Sequence, residues 1–180
     1  MVYTYKEIFN KYKDDYKIRK ALENKEIYKI EKGIYSDSKY ANPLIVYSIK
    51  YPNAVITMDN AFYFYNLTDV IPNKIYLDTP RNSHPIKNNK IVQLFSDEDL
   101  LNIGKNVVNV ENQEIYMFDK ERMLIELIRK RNKIPFDYYK EIISNYRDIA
   151  DELDMYKIEN YLSYFKNDVN LFDTMQREVF

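Results

Sequence analysis

The sequence contains no cysteine, a single histidine and only two glycines among its 180 residues. Without cysteine there is no disulfide framework, thiolate nucleophile, zinc ribbon or iron–sulfur site. One histidine excludes His-rich metal sites and leaves His84 as the sole base of its type for a Ser-His-Asp arrangement. Its neighbours, Arg81-Asn82-Ser83-His84-Pro85, read as a polar loop between two strands. Gly33 and Gly104 stand alone. A phosphate-cradling loop needs clustered glycines so that the backbone can approach the anion, so Walker and Rossmann sites are excluded and no cofactor or metal is expected. No run reaches the roughly 18 apolar residues of a spanning helix. Nor does Met1-Val2-Tyr3-Thr4-Tyr5-Lys6 resemble a leader, so a cytoplasmic protein without a membrane partner is expected.

What is present is the material of one ordinary domain or two small ones, with 46% hydrophobic and 31% charged residues. The abundant tyrosine and phenylalanine follow an AT-rich coding habit as much as any function. Lysine and arginine number 27 against 28 acidic residues, but residues 1–40 hold ten of the former and seven of the latter. The chain is a basic head on an acidic body.

Helical spacing opens the chain. Tyr5, Ile8, Phe9 and Tyr12 recur at i, i+3, i+4 and i+7, with Thr4 and Glu7 forming a capping box. A second helix spans Asp14 to Glu23 with Ile18, Ala21 and Leu22 inward. Ile27 to Ile30, a turn at Glu31-Lys32-Gly33, and Ile34 to Ser36 read as a hairpin. Two helices and a hairpin suggest the latter part of a winged helix-turn-helix. The fold class expected is therefore α+β: a small, truncated winged head over residues 1–38, then a mixed α/β body over 39–180 with a short-stranded sheet and a helical last third.

Pro43 opens a helix to Lys50, and Thr57 is placed to cap an aromatic helix from Asp59 to Asn66. Strands are expected at Lys74–Asp78, Lys90–Phe95, Asn106–Val110 and Glu114–Phe118. Helices follow at Lys120 to Lys130 behind Asp119, at Phe136 to Tyr146 behind Pro135, and from Asp151 or Asp154 to about Lys166, with a turn or two after Asp168.

Few residues point to catalysis. The tripeptides Asp15-Tyr16-Lys17, Glu23-Asn24-Lys25 and Asp37-Ser38-Lys39 match the acid-x-lysine pattern of metal-dependent nucleases, but none lies on an expected strand. Asp97, Glu98 and Asp99 could ligate Mg²⁺ in a nuclease or nucleotidyltransferase. A helix N-terminus also favours carboxylates, and capping is the simpler reading. An enzyme is not expected.

The head carries a different pattern. Lys13, Lys17 and Lys20 fall at i, i+4 and i+7, with Arg19 and Tyr16 beside them and the apolar face opposite. Long cations can neutralise phosphates, and an arginine or tyrosine can reach base edges in the major groove. Lys29 and Lys32 place further charge on the hairpin, where a wing meets flanking backbone. Against this, Asp14, Asp15, Glu23, Glu26 and Glu31 repel phosphate, and a solvated helix face is the commoner source of such a pattern.

The order of features along residues 4 to 165 resembles the AbiEi family of type IV antitoxins, transcriptional regulators of abortive-infection toxin–antitoxin pairs. The match runs through Lys29-Ile30-Glu31-Lys32-Gly33-Ile34-Tyr35-Ser36, then Tyr51-Pro52-Asn53-Ala54-Val55-Ile56-Thr57 and Met58-Asp59-Asn60-Ala61. It continues through Leu67-Thr68-Asp69-Val70-Ile71-Pro72, Thr79-Pro80-Arg81 and Phe118-Asp119-Lys120-Glu121-Arg122, where the family's Arg-Thr pair is here Arg122-Met123. The resemblance implies a DNA-binding role for Lys13, Tyr16, Lys17, Arg19, Lys20, Lys29 and Lys32. It also implies repression of the protein's own operon at an inverted repeat, engaged by two protomers, and a body that counteracts a nucleotidyltransferase-like toxin without needing to touch it. The alternative is a protein-interaction module that binds a partner through Phe62-Tyr63-Phe64-Tyr65 and the C-terminal helices, its head vestigial.

Overall fold

Thr4 closes a reciprocal cap with Glu7: the Glu7 N–H donates to Thr4 Oγ1 at 3.3 Å and the Thr4 N–H donates to Glu7 Oε2 at 2.7 Å. Helix α1 (Tyr5–Tyr12) starts there and stops at Lys13, whose backbone is left-handed at φ 61°. That conformation is uncommon for a residue with a Cβ, and it turns the chain sharply. Lys13 was expected inside the second helix; instead it ends the first. Asp14 then accepts the Tyr16 N–H at 2.9 Å and begins α2 (Asp15–Glu23).

The computed structural model describes residues 1–180 and is an α+β fold of nine α-helices with a three-stranded and a five-stranded sheet. The chain divides into two compact units, Met1–Ala54 with Val107–Tyr116, and Val55–Asn106 with Met117–Phe180. No helix is long and apolar enough to cross a membrane.

In the first unit a strand the sequence did not announce, β1 (Val2–Thr4), precedes α1. The expected hairpin forms as β2 (Tyr28–Glu31) and β3 (Ile34–Ser36), with Gly33 at φ 78° in the turn. The sheet order is β1-β3-β2, antiparallel throughout, with Val2 opposite Ser36 and Thr4 opposite Ile34. The Gln113 side chain meets both backbone groups of Val2, accepting its N–H at 2.6 Å and donating to its carbonyl at 2.9 Å. Ile8, Ile18, Ala21, Ile27 and Tyr35 form the core beneath the two helices. Helix α3 (Pro43–Lys50) has the expected bounds, with Asn42 accepting the Leu44 N–H at 3.0 Å.

The five-stranded sheet contains β4 (Val55–Ile56), β5 (Ile75–Pro80), β6 (Ile91–Ser96), β7 (Lys105–Val110) and β8 (Gln113–Phe118), ordered β6-β5-β4-β8-β7. Pairing is parallel between β5 and β6 and between β4 and β8, and antiparallel between β4 and β5. Glu111 and Asn112, at φ 49° and 63°, make the tight turn between β7 and β8.

Helix α4 is Met58–Phe64, shorter than expected, and Thr57 stands at its cap position without capping it. The Thr57 hydroxyl points instead to Met123 Sδ at 3.5 Å. Buried Asn60 ties this helix to the sheet by accepting the Tyr76 N–H at 2.6 Å and donating to the Lys74 carbonyl at 3.1 Å. A five-residue helix, α5 (Glu98–Asn102), follows β6.

Helix α6 (Lys120–Lys130) begins at Asp119, which accepts the Arg122 N–H at 2.9 Å, and it is buried on nearly every side. Met123, Leu124, Ile125 and Leu127 on it have no exposed surface. Around it lie α7 (Phe136–Asp148), α8 (Met155–Leu162) and α9 (Asp168–Glu178). The helix expected to reach Lys166 ends at Leu162, while the turn or two expected after Asp168 are three.

Candidate nucleic-acid interface

Helix α2 is two-faced because its apolar residues recur at helical spacing. Ile18 and Ala21 are buried and Leu22 half-buried. The opposite side presents Tyr16, Lys17, Arg19 and Lys20, all exposed. Tyr16 and Lys20 are one turn apart, and the Lys20 ammonium sits 5.0 Å from the Tyr16 ring centre. Lys13 is exposed in the turn ahead of α2, Lys29 is exposed on β2, and Lys32 is exposed at the hairpin tip. All seven expected residues are therefore at the surface of the first unit, though not on a single helix.

The acids of this unit are arranged otherwise. Asp14 caps α2, and Asp15 accepts the Tyr5 hydroxyl at 2.6 Å, a bond that pushes the phenol above its ordinary value. Glu31 pairs with Lys50, Glu7 closes the α1 cap, and Glu26 accepts the Asn24 amide at 3.2 Å. Of the acids in residues 1–40, Glu23 alone stays exposed without such a bond, on the last turn of α2. No carboxylate pairs with any of the six candidate cations. Four of the five acids that were expected to repel phosphate are thus fixed by local bonds, and one of them, Glu31, is paired with a cation.

The second unit gathers charge for a different end. The Arg122 side chain has no exposed surface. Its guanidinium donates to the Leu100 and Ile103 carbonyls at 2.6 and 2.8 Å and to Glu126 Oε1 at 3.1 and 3.0 Å. It also lies 4.4 Å from the Phe118 ring centre and 4.8 Å from that of Phe165. Burial alone would push the Glu126 carboxyl up, but Lys130, Arg122 and Arg129 together hold it below the ordinary carboxylate range. Gly104 makes room for this arrangement. A Cβ there would stand 2.3 Å from Arg122 Cβ, and the backbone is left-handed at φ 71°. Each nitrogen of the Arg122 guanidinium finds a partner inside the fold, so the pair acts as a strut. The i, i+4 spacing of Arg122 and Glu126 was legible, but it reads as a surface pair until the rings of Phe118 and Phe165 are seen to cover it.

The remaining candidates do not assemble. Asp97, Glu98 and Asp99 are exposed, and no group of three or more His, Asp or Glu side chains is placed to hold a metal ion. The three acids stand at the N-terminus of α5, as the simpler reading expected, with Glu98 and Asp99 in its first turn; Asp97 at the cap position makes no side-chain cap bond and pairs with Arg81 at 3.1 Å. His84 is exposed in the polar loop where it was expected. Of the aromatic helix, Phe62 is fully buried, and the Tyr65 hydroxyl donates to the Phe118 carbonyl at 3.0 Å. Tyr63 alone of that run is largely exposed. Phe64 and Tyr65 are half-buried, so only Phe62 belongs to the core.

Compared with models of known protein families and with curated proteins, the sequence matches none.

Proposed function

We propose that the first unit binds double-stranded DNA and that the protein is a transcriptional autorepressor and antitoxin of a type IV toxin–antitoxin operon. The observation that carries the reading is the unequal use of charge around α2 and the hairpin: Lys13, Lys17, Arg19, Lys20, Lys29 and Lys32 are exposed and unpaired, while four of the five acids among them are held in caps and local bonds. A helix pair separated by two residues and followed by a hairpin supports a winged helix-turn-helix, with α2 as recognition helix and the β2–β3 hairpin as wing. In that assignment Lys17 and Lys20 meet phosphates, Arg19 and Tyr16 reach base edges, Lys13 sits at the helix turn, and Lys29 and Lys32 contact flanking backbone. An inverted repeat requires two copies of the head.

The antitoxin role rests on the resemblance to the AbiEi family, which extends through the body and implies a nucleotidyltransferase-like toxin as functional partner. Fluorescence anisotropy with a duplex from upstream of the gene, beside a scrambled duplex, tests the DNA-binding reading. Preferential, salt-sensitive binding is expected, and equal affinity for both duplexes at physiological salt would overturn it. Relief of growth arrest when the chain is co-expressed with the product of the neighbouring gene tests the antitoxin role.

A further inference from the structure

The five-stranded sheet ends at β6, whose one strand neighbour is β5. Their pairing fixes which backbone groups of β6 face outward. The Ile75 N–H donates to the Lys90 carbonyl at 2.8 Å and the Arg81 N–H to the Ser96 carbonyl at 2.8 Å, with Tyr76 beside Val92 and Asp78 beside Leu94. Because the backbone groups of a strand alternate in direction, Val92, Leu94 and Ser96 turn theirs toward β5, and Ile91, Gln93 and Phe95 turn theirs away from it. The Ile91 N–H is taken by the Asn88 carbonyl at 3.1 Å. The N–H and C=O of Gln93 and of Phe95 have no partner in the chain. The loop between β5 and β6 does not use them either: the Ile86 N–H donates to the Gln93 side chain at 2.7 Å, and that side chain donates to the His84 carbonyl at 3.3 Å.

An open edge is a template for another strand, and folds commonly guard one with proline, a bulge or a charge. Ile91-Val92-Gln93-Leu94-Phe95-Ser96 has no proline and no charged residue, and its register with β5 is unbroken. Phe95 leaves 44% of its surface exposed.

We propose that β6 is a homodimer interface, where the edges of two copies pair antiparallel about a two-fold axis at Leu94. Two-fold pairing sets one residue opposite itself, and the free groups select which. Centred on Leu94, Gln93 of each copy lies opposite Phe95 of the other, and the N–H and C=O groups of both close four hydrogen bonds. Centring on Val92 or Gln93 would call on the Ile91 N–H, which is taken. Centring on Phe95 would call on the Asp97 carbonyl, which already accepts the Leu101 N–H at 2.9 Å. The Leu94 register also sets Lys90 across from Glu98 at both ends, and each is exposed and in no ion pair of its own chain. Free groups and charges that match under one two-fold operation select a second copy of this chain over an unrelated strand. Such a dimer supplies the two copies that an inverted repeat requires, but it stands on the edge alone and is tested without DNA, so its failure leaves the DNA-binding reading as it is.

The test is sedimentation equilibrium of the full chain, where the mass of two 21.9 kDa copies is expected at micromolar concentration. Because the sequence has no cysteine, a single introduced one reports the register. Leu94→Cys should form a covalent dimer on mild oxidation, since its Cα atoms would stand about 4.5 Å apart across the axis, within disulfide reach. Val92→Cys, on the same face but off the axis, should not. Phe95→Pro should be a folded monomer by circular dichroism and sedimentation, because proline at an edge removes only the outward N–H. Lys90→Glu should weaken the dimer by roughly tenfold, and Glu98→Lys added to it should restore the affinity. A monomer at every concentration overturns the proposal. So does a dimer that a folded Phe95→Pro variant or Lys90→Glu leaves as tight as the wild type, or cross-linking at Val92 in place of Leu94.

Discussion

The two units use charge in opposite ways. In the first, Lys17, Arg19, Lys20, Lys29 and Lys32 point to solvent with no carboxylate to answer them, while Asp14 caps α2, Asp15 accepts the Tyr5 hydroxyl and Glu31 pairs with Lys50. In the second, Arg122 and Glu126 are withdrawn from water altogether, and each polar atom meets a partner. Charge placed at a surface without a partner adds little to stability, and the proposed function gives it a use outside the molecule. Charge placed in a core is costly unless fully paired, and its use there is to fix how the elements pack. Like residue types are therefore left at the surface in one unit and built into the architecture of the other.

The contrast breaks most sharply at Arg122. Arg122→Ala leaves Glu126 buried with one cation fewer and strips the bonds on the Leu100 and Ile103 carbonyls, so a loss of about 3–5 kcal/mol is expected by chemical denaturation. Lys17→Ala in the head should change stability by no more than about 0.5 kcal/mol. A mild effect at Arg122 would mean that the network is dispensable.

Next in size is recognition. If Arg19 reads a guanine, Arg19→Ala should cost roughly 1–3 kcal/mol of discrimination between operator and scrambled duplex, with the melting temperature unchanged. Equal loss on both duplexes would reassign Arg19 to phosphate.

The body should also have its own alkaline limit. Tyr146 is wholly buried, donates to the Lys120 carbonyl at 2.9 Å, and is pushed well above the ordinary tyrosine value by burial, with Glu121, Tyr65 and Asp119 adding to the shift. A raised phenol stays protonated in the folded chain while its unfolded counterpart ionises near pH ~10. Its contribution is therefore complete below that pH and is lost as pH rises above it. Tyr146→Phe should flatten the decline in stability between pH 9 and pH 11, as read by circular dichroism, and an unaltered decline would place the alkaline weakness elsewhere. The smallest effect is expected at Glu23, the one unspent acid of α2. Glu23→Gln should tighten binding to all duplexes alike by a few tenths of a kcal/mol, about the scale of one exposed charge.

Much of this was legible where the signal is local. The Thr4–Glu7 cap, the bounds of α3, four strands of the larger sheet and the start of α6 all follow from spacing, capping residues and prolines. Strand β1 was not, because three residues cannot display alternation and its place is set by β3 and Gln113, distant in sequence. Lys13 was misplaced because a left-handed lysine carries no sequence mark. The exposure of the head cations was foreseen, whereas the bonds that fix Asp15 and Glu31 come from Tyr5 and Lys50, which pattern alone does not bring near. That β6 is an edge follows from the strand order, which spacing along the chain does not set.

The most direct test of the central claim is the slope of log affinity against log salt concentration for the upstream duplex, compared between wild type and the Lys17→Ala, Lys20→Ala double variant. If these lysines neutralise phosphates, the slope should become shallower by about two, with the fold intact. A wild-type slope that the double variant reproduces would mean that α2 does not face DNA, and the unpaired charge of the head would need another explanation.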